Sequence, residues 1–225
     1  MISDNLREVR QEIQNSCALV GRKEDSVTLI AVTKTVDSEK TKQVVQAGIL
    51  DCAENRAEKF LEKKQELADF PQITWHFIGN LQRRKVKLVI NEIDYFHALD
   101  SLKLAAEIQK RAEHVIKCFV EVNVSGEESK QGITPAELSG FIEELKAFDR
   151  IQVVGLMTMA PADSTKEQQH EIFRTLRQLQ EKVRECHLSY APCTELSMGM
   201  SNDFSVAIQE GATFIRVGTA LVKDM

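Results

Sequence analysis

The chain has little of what would mark a secreted, metal-binding or nucleic-acid-binding protein. Its five cysteines, Cys17, Cys52, Cys118, Cys186 and Cys193, are odd in number and scattered, with no C-x-x-C pair. That pattern argues against a zinc site or a disulfide framework and for reduced thiols. The five histidines show no metal-ligand spacing, and Cys186 and His187 are adjacent, a poor chelating geometry on a helix. There is no basic excess: 29 basic against 34 acidic residues give a net charge of −5. A general nucleic-acid or acidic-membrane binder needs a positive field, so neither class is expected. Any anion site must be local, built from backbone N–H groups and helix N-termini. The N-terminus, Met1 to Arg7, lacks the apolar run of a signal peptide, and no later run is long enough to span a bilayer. A cytoplasmic location is the expectation.

A Pro/Gly/Ser-rich linker is also missing. With 225 residues, 43% hydrophobic and 28% charged, the chain reads as one soluble domain over residues 1–225. Leu6, Val9, Ile13, Cys17 and Val20 fall at steps of three and four and predict an N-terminal amphipathic helix. Eight strand-like runs then recur, at 27–33, 49–53, 74–78, 93–98, 115–122, 151–155, 193–197 and 213–217. Helical patterns separate them, such as 136–148 and 165–186. Thr134-Pro135-Ala136-Glu137 has the composition of a capped helix start, and Gly48 and Gly211 sit where helices should stop. A strand–helix repeat predicts a parallel sheet, and eight repeats predict an α/β fold closed into a single (β/α)8 TIM barrel with an extra N-terminal helix. A doubly wound open sheet would advertise a glycine-rich turn after its first strand. Here that turn is Lys34-Thr35-Val36-Asp37-Ser38, with no glycine.

In such a barrel the C-terminal strand ends form the active face, and the turns after strands 7 and 8 form the usual phosphate cup. Lys34 directly follows the apolar first strand, at the mouth of a low-dielectric barrel where desolvation favours the neutral, nucleophilic amine. Its ordinary alternative is a solvated lysine. The last two turns, Ser197-Met198-Gly199-Met200-Ser201 and Arg216-Val217-Gly218-Thr219-Ala220, offer small residues, backbone N–H groups and the hydroxyls of Ser197, Ser201 and Thr219. Each alone also reads as a glycine helix cap. An amine facing an anion cup suits a phosphorylated aldehyde, with pyridoxal 5'-phosphate (PLP) the candidate. Asn55 could then bond a ring hydroxyl, or cap the next helix. His76 could line the pocket, or be a hydrogen-bonded core histidine. Met157 could pack a planar ring, or fill the core. Arg216 beside a pyridine nitrogen would keep it unprotonated, because guanidinium can only donate; the alternative is an ion pair with a neighbouring strand carboxylate.

These residues resemble one family. Ile30-Ala31-Val32-Thr33-Lys34-Thr35, Glu54-Asn55, Trp75-His76-Phe77-Ile78-Gly79, Gly155-Leu156-Met157-Thr158-Met159-Ala160-Pro161, the Leu196–Ser201 turn and the Arg216–Ala220 turn, in this order and spacing, are similar to the pyridoxal phosphate homeostasis proteins (the YggS/PROSC family), themselves similar to the N-terminal barrel of alanine racemase. The resemblance implies PLP held as an imine on Lys34, its phosphate on the Ser-Met-Gly-Met-Ser and Gly-Thr turns, and its ring nitrogen facing Arg216. It departs from the family pattern at Ala53, where Gly is usual, at Val36-Asp37-Ser38, where a proline is usual, and in the tail Leu221 to Met225.

Racemase-like chemistry needs a second base from a C-terminal β-domain, and the only tyrosines, Tyr95 and Tyr190, do not follow one. The expected function is therefore PLP carriage or buffering in PLP homeostasis, without turnover. Apo PLP-dependent enzymes are the expected clients, and the protein is expected to be a monomer or weak dimer. The alternatives are a low-activity PLP-dependent amino-acid racemase and a Schiff-base aldolase acting on a phosphorylated sugar.

Overall fold

A computed structural model describes residues 1–128 and 131–223. Eight parallel strands close in sequence order, with β8 returning to β1. They are β1 (Thr28–Val32), β2 (Asp51–Glu54), β3 (Thr74–Phe77), β4 (Tyr95–Leu99), β5 (Ile116–Glu121), β6 (Ile151–Met157), β7 (Glu195–Ser197) and β8 (Phe214–Val217). Helices α2 (Ser38–Gln46), α3 (Ala57–Glu66), α4 (Arg83–Val89), α5 (Leu102–Arg111), α6 (Leu138–Glu144), α7 (Lys166–Arg184) and α8 (Phe204–Gln209) fill the connections, preceded by α1 (Ile2–Leu19) and followed by the one-turn α9 (Thr219–Val222). The predicted TIM barrel with an additional first helix is the fold observed.

Local chemistry explains the boundaries. Thr134 and Glu137 make a reciprocal capping box that opens a short 3-10 turn leading into α6, and Thr165 with Gln168 makes another at α7. The helix predicted over 136–148 is thus a short α-helix with 3-10 turns on either side. Gly48 and Gly211 end their helices in the left-handed region, at φ 102° and 108°. On α1, Leu6, Val9, Ile13 and Cys17 are buried, while Val20 is exposed just past the helix end, so the predicted stripe stops one step early.

The first helix fastens the last one. Asn5 Nδ2 donates to the carbonyls of Leu221 and Lys223, both at 2.9 Å, and Ser16 and Ser205 share a hydroxyl hydrogen bond at 2.7 Å. The tail is thereby anchored as far as Lys223, while Asp224 and Met225 lie outside the described residues. Among the described residues no helix is long and apolar enough to cross a membrane. All five cysteines are free, and only Cys186 is exposed.

Candidate functional site at the carboxyl ends of the strands

A cavity of ≈ 470 Å³ opens at the C-terminal ends of the strands. It gathers Lys34, Asn55, Met157, Ser201, Arg216, Gly218 and Thr219, residues from the ends of five strands. A larger hollow of ≈ 690 Å³ sits at the opposite end, against the starts of β1 and β2. That hollow is lined by Lys23 and Gly48 but by none of the strand-end residues that the sequence singles out as candidates.

Lys34 leaves the end of β1 on a loop that is fastened from beneath. Lys63 of α3, buried, donates to the carbonyls of Thr33 (2.7 Å) and Val36 (2.9 Å) and to Oε2 of Glu54 (3.0 Å). The Thr33 hydroxyl donates to the same Glu54 oxygen. Two bonds from one ammonium thus bracket Lys34, and a third ties that ammonium to the end of β2. Contrary to the desolvation expected at a barrel mouth, Lys34 is exposed, because it stands past the apolar wall at the rim of the cavity.

The two terminal turns are tied into one surface. Ser201 Oγ accepts from the backbone N–H of Ala220 at 3.2 Å, and the carbonyl of Gly199 accepts from the N–H of Arg216 at 2.9 Å. Gly199 has φ 102°, and a Cβ there would lie 2.8 Å from Cβ of Ala207 and 2.9 Å from Cα of Phe204. Only glycine lets α8 pack this closely under the turn. Asp203 secures the same turn, its Oδ1 accepting from the N–H of Met200 at 2.6 Å.

Arg216 lies in β8 beside Ile30 of β1 and is 4% exposed. Its guanidinium donates to Ser197 Oγ and, at 3.1 Å, to the carbonyl of Thr158. Burial lowers its pKa to about 10, opposed by the carboxylates of Glu121 and Asp203, so it remains a cation at neutral pH.

Two predicted site residues stand elsewhere. His76 does not line the cavity. It is fully buried inside the barrel, stacked on Tyr95 with centroids 4.8 Å apart, with Nε2 on Asp51 Oδ1 (2.8 Å) and Nδ1 on His97 Nε2 (2.9 Å). It sits in the third of only four strand residues, where the side chain points to the barrel axis well short of the mouth. Ser197 is likewise buried behind Arg216 and outside the lining, so its hydroxyl serves the arginine instead of the cup. Asn55, by contrast, is not spent on a cap: α3 begins with Arg56 at its N-cap and no side-chain capping bond. Thr35, Ile78, Gln169 and Asn202 also line the cavity. Ile78 and Asn202 adjoin motifs visible in the sequence, whereas Gln169 arrives from the first turn of α7 and carries no local signal.

The cavity therefore presents an exposed primary amine, a buried permanent cation and a rigid small-residue cradle that a Cβ at Gly199 or Gly218 would crowd. Those groups fit a planar phosphorylated aldehyde. Similarity to known proteins agrees. The family model for the N-terminal domain of alanine racemase matches residues 2–225. The pyridoxal phosphate homeostasis protein of Aquifex aeolicus is 39% identical over 221 residues, covering 97% of this chain and 96% of that one. Its counterpart in Escherichia coli K12 is 32% identical over 225 residues, covering 98% and 95%. The structure of PipY from Synechococcus elongatus with PLP bound superposes with a TM-score of 0.87 at 31% identity, over 99% of this chain and 100% of PipY. Alanine racemase from Clostridium difficile shares the fold, with a TM-score of 0.77 at 20% identity, and this chain spans 57% of its length. With the family model matched over residues 2–225 and full-length relatives above 30% identity, the chain belongs to the pyridoxal phosphate homeostasis protein family, on the fold of the alanine racemase N-terminal domain.

Proposed function

We propose that this chain binds PLP on Lys34 and carries or buffers it in the cytoplasm, handing it to apo-enzymes without turning over a substrate. The observation that carries the reading is that Lys34 and Arg216 open onto one cavity between two stitched, glycine-bearing turns. Bound PLP would supply a reactive aldehyde for a lysine amine and a ring able to accept electron density. The chain's own residues then divide the work. Lys34 supplies the amine. Ser201, Gly218 and Thr219 offer a hydroxyl pair and backbone N–H groups to the phosphate. Met157, buried at the cavity wall, offers an apolar surface to the ring, and Asn55 a hydrogen bond to its substituent. Arg216 would donate to the ring nitrogen, since a guanidinium cannot accept, and so would keep that nitrogen unprotonated.

The same arrangement disfavours catalysis. An unprotonated ring is a weak electron sink, and among the described residues the cavity lining contains no tyrosine or histidine to act as a second base. Tyr95 is engaged inside the barrel, and Tyr190 donates its hydroxyl proton to the carbonyl of Ile142. The racemase reading makes the opposite prediction. PLP-loaded protein should restore activity to a PLP-dependent apo-enzyme while failing to exchange the α-proton of alanine in deuterated water at an enzyme-like rate. Rapid exchange that disappears in Lys34→Ala would reinstate the racemase.

A further inference from the structure

The barrel axis carries a polar line where layers of Val, Ile and Leu are the rule. Between Arg216 at the C-terminal end and Asp51 at the start of β2 run Ser197, His97 and His76. Arg216 contacts Ser197, His97 Nδ1 lies 2.8 Å from Ser197 Oγ, His97 Nε2 lies 2.9 Å from His76 Nδ1, and His76 Nε2 lies 2.8 Å from Asp51 Oδ1. Ser197, His97 and His76 are completely buried, and aromatic faces wall them in: His97 stacks on Phe119 at 4.4 Å and His76 on Tyr95 at 4.8 Å.

With both imidazoles neutral, the two ends fix every proton in the line. Guanidinium can only donate, so the Ser197 hydroxyl accepts from Arg216 and turns its own proton to His97 Nδ1. His97 Nδ1 must then be bare, its single proton standing on Nε2 and pointing at His76. His76 Nδ1 accepts it, which leaves the His76 proton on Nε2, donated to the Asp51 carboxylate. All four bonds are satisfied in one direction only, from cation to anion. A doubly protonated His97 would face the Ser197 oxygen with a second donor and leave the hydroxyl proton without an acceptor in the line. Burial, with His76 and Arg216 nearby, independently holds His97 well below the usual histidine pKa. On the Arg216 side, Glu121 and Asp203 are the carboxylates whose fields reach the guanidinium.

We propose that His97, His76 and Asp51 are positioning residues of the cofactor site, which through Ser197 hold Arg216 in the orientation in which it meets the ring nitrogen. The inference rests on the cofactor reading above and extends it to the opposite end of the barrel. Asp51 lines the hollow at the N-terminal face, so a residue remote from PLP sets the environment of its ring.

The test uses PLP as the probe and reads three quantities: the visible band of the Lys34-bound cofactor, the pH midpoint of that band, and the Kd for PLP. His97→Phe keeps the stacking but removes the acceptor for Ser197. Its borohydride-reduced adduct should remain on Lys34, with the midpoint moved by about 0.5 pH unit or more as Arg216 shifts against the ring. PLP affinity should fall roughly 3- to 10-fold, one net hydrogen bond's worth. Asp51→Leu, at a side chain 26% exposed and so less disruptive to folding, should move the midpoint the same way by a smaller amount. Asp51→Asn, whose amide oxygen still accepts from His76, should restore most of it. If both His97→Phe and Asp51→Leu lower thermal stability yet leave band, midpoint and Kd unchanged, the line is only structural and the proposal is overturned. Absence of any Lys34 adduct in the unsubstituted protein would overturn the cofactor reading beneath it instead.

Discussion

Lys63 Nζ donates to the carbonyl of Thr33 at 2.7 Å, holding the residue immediately before Lys34 to a helix that follows a different strand. The same ammonium reaches Val36 and Glu54, so one buried ion pair fixes the loop that carries Lys34. Lys63→Met should leave Glu54 buried without its cation, a loss of about 3–5 kcal/mol. It should also weaken PLP binding as the Lys34 loop loosens. The double variant Lys63→Met/Glu54→Leu should recover much of the stability but little of the affinity. Urea unfolding and PLP titration of the three proteins separate the two effects.

Phosphate recognition should dominate affinity. Charge-assisted hydrogen bonds contribute ~1.5–3 kcal/mol each, so pyridoxal without its phosphate should bind at least tenfold more weakly than PLP. Gly199→Ala should erase much of that difference, because the new Cβ would meet Ala207 and Phe204 at under 3.0 Å and push the cup apart. Parallel titrations with both ligands decide it; equal affinities in the unsubstituted protein would remove Ser201, Gly218 and Thr219 from the phosphate site.

Acid should destabilise the fold through His97. Its folded pKa is depressed by burial, so the unfolded chain takes up a proton below ~6.5 that the native state refuses. The stability it allows is complete above that pH and is lost progressively as pH falls toward the folded value. Replacing His97 with Gln should lower stability at neutral pH while flattening the decline between about pH 6.5 and 5. Chemical unfolding across that range provides the curve.

Much of this was readable in the sequence, for definable reasons. Alternating apolar runs and helical stripes mark the eight strands, and the capping residue Thr134 sets its helix start locally. Lys34, Asn55, Arg216 and the two turns stood next to strand ends, where barrel geometry alone sends them to one face. His76 and Ser197 were also near strand ends, but whether a side chain reaches the mouth or stays on the axis depends on register around the whole barrel. Gln169 joins the cavity through the path of α7, and Lys63 binds the Lys34 loop from 29 positions away. Neither is visible without tertiary structure. The exposure of Lys34 follows from where the wall ends, which the apolar first strand does not reveal.

The most direct measurement is borohydride reduction of the PLP-loaded protein followed by peptide mass mapping. The account predicts a single pyridoxyl group, on Lys34, lost together with the visible band in Lys34→Ala. A pyridoxyl group on another lysine in the unsubstituted protein, or an undiminished band in Lys34→Ala, would contradict it.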